Sequence, residues 1–301
     1  MPHASNYTQQ QLSAAFDEIE LTLFKDITAE PVPKLLVVAG LQSSGKTYLL
    51  ENNLLPSERY KNYVRLYLPQ YREKHPNYEQ LKAQGALYAY EHTEAFIRDI
   101  GKKIFEKAFT QKNNIVMESA FDTPGFSAFP PQATTAGYQF ETHIVACSKD
   151  FAHLSSMKRA FKSVKKGELE RFVTMPMLDA SLKEAKAAVS ALETAAKAVS
   201  GSTIQLYERG LGTLKDRVSR GQSTYFKDVN GSLRIAGDVL HYASLFDTIT
   251  RRRIRELKDQ DEMVRDCHGA LADAQAATAT IPDSLYRDLH GYISKYIDRK
   301  I

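Results

Sequence analysis

The sequence predicts an α/β chain, a doubly wound, mostly parallel sheet followed by a helical C-terminal extension. Three observations carry that prediction. Short apolar runs recur and end at turn residues, helical stretches long enough for right-handed crossovers separate them, and a glycine-rich stretch joins the first run to a helix. With 301 residues, 43% of them hydrophobic, the chain can fill one large or two modest cores.

Gln9 to Ile27 places Leu12, Phe16, Ile19, Leu23 and Phe24 at three- and four-residue spacing, the stripe of an amphipathic helix that Pro31 and Pro33 stop. Leu35 to Ala39 is wholly apolar and valine-rich, as a strand buried on both faces requires, and it ends directly at Gly40. Runs of the same kind are Tyr63 to Leu68, Asn114 to Met117 and His143 to Cys147, with a helical stretch from Leu81 to Phe109 between the first two. Ligands of such a sheet are expected at the carboxyl ends of its strands.

Met177 to Val199 reads as a long, largely exposed helix closed by Gly201, and Ile204 to Tyr207 and Thr224 to Val229 read as short strands. Beyond Leu233 the pattern is helical: Val239 to Leu257, Met263 to Ala277 and Ser284 to Ile297. The division expected is a core over 1–233, with a lid near 150–175, and a helical extension over 234–301. Arg251, Arg252, Arg253 and Arg255 in that extension read as a solvated helix face.

A formal charge of +4, from 40 basic and 36 acidic residues, gives no global field to hold a polyanion, so nucleic acid is not an expected partner. Cys147 and Cys267 stand too far apart for a paired motif, which argues against a disulfide framework or a structural zinc site. No window approaches the roughly 18 apolar residues of a membrane span, and the N-terminus lacks an export pattern. A cytoplasmic protein without membrane contact is expected.

The glycine-rich stretch carries the chemistry. Gly40-Leu41-Gln42-Ser43-Ser44-Gly45-Lys46-Thr47 matches the Walker A pattern at every fixed position and lies between a predicted strand and a predicted helix. Gly40, Gln42, Ser43, Ser44 and Gly45 let successive N–H groups face phosphate oxygens, Lys46 neutralises the β- and γ-phosphates, and the Thr47 hydroxyl ligates Mg²⁺. The expected cofactors are therefore ATP or GTP with Mg²⁺, on a P-loop kinase-like fold. A turn that binds nothing is the bland alternative, and the loop alone does not separate a small-molecule kinase from a GTPase or an ATPase.

Phosphoryl transfer also needs cations on the migrating group and a carboxylate for the acceptor's proton. Glu118, ending the run Ile115 to Met117, is placed to hold Mg²⁺ through water, to orient an acceptor or to act as base; an ordinary strand-end Glu does none of these. The basic stretch from Lys158 to Arg171 fits a lid whose Arg159 and Arg171 close over the phosphate, or else a solvated basic helix.

Beyond the loop, Tyr71-Arg72-Glu73-Lys74-His75-Pro76-Asn77-Tyr78 resembles a motif of the zeta toxin family, kinases of toxin–antitoxin modules that phosphorylate UDP-N-acetylglucosamine. Thr93-Glu94-Ala95 is similar to the segment with that family's sugar-contacting Glu, Glu118 to the acidic residue ending its third strand, and Arg159 and Arg171 to its lid arginines. The resemblance covers roughly Gln9 to Tyr207. It implies catalytic roles for Lys46, Glu118, Arg159 and Arg171, acceptor contacts at Arg72, His75, Glu94 and Glu118, a sugar-nucleotide acceptor and an antitoxin partner.

Two positions depart from the family pattern. Pro69 occupies the place of the family's catalytic Asp, and Ser119-Ala120 replaces the usual Gly-Thr after Glu118. Proline has no acid–base chemistry and removes a backbone donor. Three readings stay open: a kinase with another base, Glu118 or Glu94 before Glu73; a kinase with a different acceptor; or a nucleotide-binding switch or scaffold without turnover.

Overall fold

The computed structural model describes residues 6–123, 125–210, 217–277 and 281–297. Helix α1 (Gln9–Leu23) starts at a capping box: Thr8 Oγ1 accepts from the Gln11 N–H at 3.2 Å, and the Thr8 N–H donates to Gln11 Oε1 at 2.8 Å. Two otherwise orphaned donors are satisfied, which sets where the helix begins. Its Leu12, Ala15 and Ile19 are buried, the stripe predicted from spacing.

Among the described residues seven strands form one sheet: β1 (Lys34–Gly40), β2 (Tyr63–Arg65), β3 (Asn114–Ser119), β4 (Gln139–Ala146), β5 (Thr203–Arg209), β6 (Arg217–Lys227) and β7 (Leu233–Gly237). The order is β2-β3-β1-β4-β5-β6-β7. The first five are parallel, and β6 and β7 add antiparallel at one edge. This is the P-loop kinase-like arrangement the sequence predicts, with β1 at the switch point where strand order reverses.

The helices are α2 (Lys46–Leu49), which runs on through a wider turn over Leu50–Leu54, α3 (Tyr78–Ala83), α4 (Ala86–Thr110), α5 (Phe129–Thr135), α6 (Lys149–Lys165), α7 (Met175–Ala198), α8 (Tyr242–Arg251), α9 (Leu257–Ala276) and α10 (Asp283–Ile297). They load the sheet unevenly. Leu35, Val37 and Ala39 of β1 belong to a large core with α1, α4, α7 and the C-terminal helices, whereas Leu36 and Val38 belong to a much smaller cluster with Leu49, Leu50, Tyr60, Val116 and Val145.

Several expected boundaries move, each for a local reason. The strand expected to reach Leu68 stops at Arg65, because Pro69 opens a 3-10 turn over Pro69–Lys74. The single helix expected from Leu81 to Phe109 is two, separated by Gly85 at φ +116°, a conformation that interrupts a right-handed helix. The strand expected at His143 begins at Gln139, and that expected at Thr224 begins at Arg217. Helix α7 is not largely exposed: Leu178, Leu182, Ala185, Ala188, Val189 and Leu192 are buried, since its small alanines let it lie close on the sheet.

The boundary expected near 233 falls at the first residue of β7. Beyond it Tyr242, Phe246, Met263, Leu285 and Tyr296 join the same buried cluster as β1 and α4. The Tyr242 hydroxyl shares a 2.7 Å hydrogen bond with Ser223 Oγ, tying α8 to β6.

Polar contacts tie α6 to the last two helices. Lys158 Nζ meets Asp266 Oδ2 at 2.5 Å, Lys165 pairs with Asp273, and Lys295 Nζ donates to Asp150 Oδ2 at 2.6 Å. His153 is fully buried between Tyr292 Oη, 2.8 Å from Nδ1, and the Val173 carbonyl, 2.9 Å from Nε2. Nε2 donates to the carbonyl, which can only accept, and in the neutral ring Nδ1 is then an acceptor facing the tyrosine hydroxyl. Desolvation holds its pKa below the usual 6.5.

Candidate active site

The glycine-rich loop spans the carboxyl end of β1 and the start of α2. Gly40 has φ +153°, and a Cβ there would collide with the Val145 carbonyl oxygen on neighbouring β4. Only glycine lets the two strands close at this point. Ser43 at φ +59° and Gly45 at φ +92° supply the left-handed turns that curl the backbone inward.

Lys46 is only 7% exposed, and its Nζ donates to the Leu41 carbonyl at 2.9 Å. Burial lowers its pKa to about 8, although the Glu118 and Asp122 carboxylates favour the ammonium. An ammonium held dry against one carbonyl gains from an arriving anion. Thr47 Oγ1 donates to Glu118 Oε2 at 2.9 Å, because β3 lies beside β1 with Glu118 in register with Val38. Glu118 Oε1 also stands 3.8 Å from Arg65 Nη2.

Sequence reasoning missed the two residues that hold the loop from outside. Arg209, ending β5, donates to the Ser43 carbonyl at 2.8 Å, and Arg217, opening β6, donates to the Gly45 carbonyl at 2.8 Å. Their guanidinium groups lie over Phe151 at 4.6 Å and Tyr48 at 4.8 Å. No local motif marks them; only the β1-β4-β5-β6 order brings them there. Past Arg209 the site opens into a cavity of about 430 Å³ between β5 and the turn after α8, lined in part by Phe151, Glu208, Arg252 and Arg255. Arg252 is paired with Glu208 at 2.9 Å and Arg251 with Asp247 at 2.6 Å.

On the opposite side, Arg72 is buried and saturated. It donates to Glu94 Oε2 at 2.7 Å, to Thr93 Oγ1 at 2.6 Å and to the Tyr90 carbonyl at 3.1 Å, and it covers the Tyr90 ring at 4.1 Å. His75 has both ring nitrogens engaged: Nδ1 accepts from the Asn77 N–H at 3.1 Å, and Nε2 faces Asn6 Oδ1 at 2.9 Å. Its ring stacks edge-on with Tyr7 and Phe96, and burial lowers its pKa below 6.5. Pro69 opens the turn that carries Arg72 and leads to His75.

The two lid arginines sit differently. Arg159 is on α6 and pairs with Glu170 at 2.7 Å, near enough for its charge to act on Lys46. Arg171 lies on irregular chain after Gly167, contacts Asp122 Oδ2 at 3.0 Å and stands 5.8 Å from the Tyr90 ring. Asp122, like Arg65, was not singled out from the sequence.

These donors suit a nucleoside triphosphate and its divalent cation. Ser43 Oγ, Ser44 Oγ, Arg65 Nε and Arg171 Nε are buried without a hydrogen-bond partner among the described residues, a costly state that an anionic ligand at the loop relieves. Thr47 and Glu118 are the hydroxyl and carboxylate that would hold Mg²⁺. Among the described residues, no cluster of three His, Cys, Asp or Glu suggests a further metal site, and no helix is long and apolar enough to cross a membrane.

The zeta toxin family model matches residues 20–218, about two thirds of the chain and all of the loop, lid and acceptor-side residues described above. The chain belongs to the zeta toxin family. The family is one of kinases, and at that coarse level the chain is a kinase. No curated protein sequence matches it. Among solved structures it is similar to one from the PezAT chromosomal toxin–antitoxin system of Streptococcus pneumoniae, with 13% identity and a TM-score of 0.61 over 91% of this chain and 100% of the other. It is also similar to AvrRxo1-ORF1:-ORF2 with ATP, with 12% identity and a TM-score of 0.54 over 94% of this chain and 86% of the other. The same complex with sulphate ions gives 12% identity and a TM-score of 0.51, covering 95% and 82%. At such identities the likeness is one of fold.

Proposed function

We propose that this zeta toxin transfers the γ-phosphoryl group of ATP or GTP to a hydroxyl of a small molecule, with a UDP-N-acetylglucosamine-type sugar nucleotide as acceptor. The observation that carries the reading is the pairing of a desolvated Lys46 with the Thr47–Glu118 hydrogen bond, facing Arg159 and Arg171 across one site. A structural neighbour solved with ATP supports the choice of nucleotide.

In this reading the loop N–H groups and Lys46 bind the triphosphate, and the ordered carbonyls of Ser43 and Gly45, held by Arg209 and Arg217, keep the loop from collapsing. Mg²⁺, when bound through Thr47 and Glu118, neutralises charge on the phosphates. Arg159 and Arg171 close over the migrating group, and Glu94, oriented by Arg72, faces the acceptor. One structural neighbour comes from a toxin–antitoxin system and another pairs two ORF products, which supports an antitoxin protein as a further partner.

The test is transfer of radiolabelled phosphate from Mg-ATP and Mg-GTP to UDP-N-acetylglucosamine. Lys46→Ala should lower it by about 10² to 10³, and the Arg159→Ala/Arg171→Ala pair should abolish it. Pro69 favours one second reading, a nucleotide-binding switch or scaffold in a toxin–antitoxin-like system, since the position in the turn before Arg72 cannot accept a proton. Under that reading Mg-ATP at about 100 times its Kd still stabilises the fold by about 2.7 kcal/mol, while no labelled product forms. If neither nucleotide produces heat on titration or raises the melting temperature, both readings fail.

A further inference from the structure

Three carboxylates line the site, and their surroundings differ. Glu118 is committed to the loop side, accepting from Thr47 at 2.9 Å with its side chain 17% exposed. Glu94 is clamped by buried Arg72, which is itself fixed by Thr93 and Tyr90. Asp122 is 43% exposed and is held by a single lid residue, Arg171, at 3.0 Å. It is also close enough for its charge to act on Lys46. Asp122 therefore touches one of the cations that would grip a transferring phosphoryl group, acts by its charge on the other, and keeps part of its carboxylate exposed.

The backbone spends energy to put it there. Phe121 has φ +59°, which a bulky residue adopts at a cost of about 1–3 kcal/mol and usually where position matters. Its ring is fully buried against Phe246 of α8, 5.5 Å away and edge-on, and its N–H donates to Ser119 Oγ at 3.2 Å. Ser119 and Phe246 together lock the reversal that turns Asp122 out of the core.

We propose that Asp122 is the general base of the transfer reaction, released when Arg171 turns from it to the phosphoryl group. The acceptor hydroxyl's proton passes to Asp122 Oδ2 as its oxygen bonds to the γ-phosphorus. The bond from that phosphorus to the β–γ bridging oxygen breaks, and its electron pair leaves with the nucleoside diphosphate. One ion pair thus makes base and lid act together: when Arg171 leaves for the phosphoryl group, Asp122 Oδ2 is freed to take the proton.

This assignment rests on the transferase reading above. The test measures diphosphate release by the full chain with Mg-ATP, using UDP-N-acetylglucosamine and, separately, water as acceptor. Mg-ATP affinity is followed by calorimetry for the wild type, Asp122→Asn, Asp122→Glu and Glu118→Gln. Asp122→Asn should lower kcat by about 10² to 10⁴ with Kd for Mg-ATP unchanged, and Asp122→Glu should keep more turnover than Asp122→Asn. An Asp122→Asn kcat within about threefold of wild type overturns the assignment, because loss of a base costs far more. So does a rate loss matched by an equal loss of affinity, which makes Asp122 a positioning residue for Arg171. If Glu118→Gln alone lowers kcat without changing Kd, the base is Glu118. A wild type that binds Mg-ATP yet releases no diphosphate with either acceptor sinks the transferase reading itself.

Discussion

The proposed nucleotide side and the proposed acceptor side of this site are built on opposite plans. The first is eight consecutive residues, Gly40 to Thr47, held by backbone geometry and by two distant arginines that grip its carbonyls. The second is collected from the turn at Pro69–Lys74, from α4, from the chain after β3 and from the segment after α6, and it is held by side-chain ion pairs. A contiguous loop fails when one atom is misplaced. A collected surface tolerates change position by position, and this is where the chain departs from its family.

The sharpest way to break the comparison is Lys46→Ala. Removing the ammonium should lower transfer by about 10² to 10³ and abolish the rise in melting temperature with Mg-ATP, read by scanning calorimetry. A variant that keeps both would mean that the loop is not the seat of binding.

On the acceptor side the largest effect expected is from Arg72→Ala, which leaves Glu94 without its partner and strips Thr93 and Tyr90 of a donor. Glu94 is 33% exposed and can recover some hydration, so the loss should be about 2–3 kcal/mol in urea unfolding rather than the full value for a sealed pair. Nucleotide affinity should not move. If it falls together with stability, the two sides are one cooperative unit.

A pH titration separates the sides further. Lys46 has a folded pKa of about 8 against 10.5 for a free lysine, so between these values the unfolded chain binds more protons and ligand-free stability should rise with pH. Bound phosphate restores the ammonium, so Mg-ATP affinity should fall as pH rises through about 8, with proton uptake measurable in buffers of different ionisation enthalpy. Lys46→Met should lose both effects. If it behaves like the wild type, the lysine is not desolvated.

The smallest effect expected is from Pro69→Asp. With Asp122 in the site, a second carboxylate at the start of the 3-10 turn should change kcat by less than about tenfold. A gain of about 10² would return the base to that turn.

What was legible in the sequence follows the same divide. The strand-loop-helix of the nucleotide side is written in consecutive residues, and β1, β3 and α10 stand where periodicity puts them, whereas α8 is shorter than the expected Val239 to Leu257 and α9 starts at Leu257 instead of Met263. Glu118 and Arg171 are reached by reasoning about strand ends and lids. Asp122, Arg65, Arg209 and Arg217 are not, because each enters the site through strand order or through one unusual φ, and neither leaves a local pattern. Helix α7 departs from its expected exposure for a related reason: alanine-rich stretches look solvent-facing until a sheet is placed beneath them.

The bracing of α6 bears on how this enzyme closes. Arg159 rides on a helix fastened to α9 and α10 at Lys158, Lys165, Asp150 and His153, whereas Arg171 sits on the unladdered segment 168–174. In the proposed reaction one cation is a fixed post and the other swings on a short tether. Ordering a residue costs about 1–2 kcal/mol of backbone entropy, so confining the movement to that tether keeps the penalty of capture well below that of a whole helical lid. Substrate commitment then becomes a matter of one loop's search time rather than of a domain's rotation.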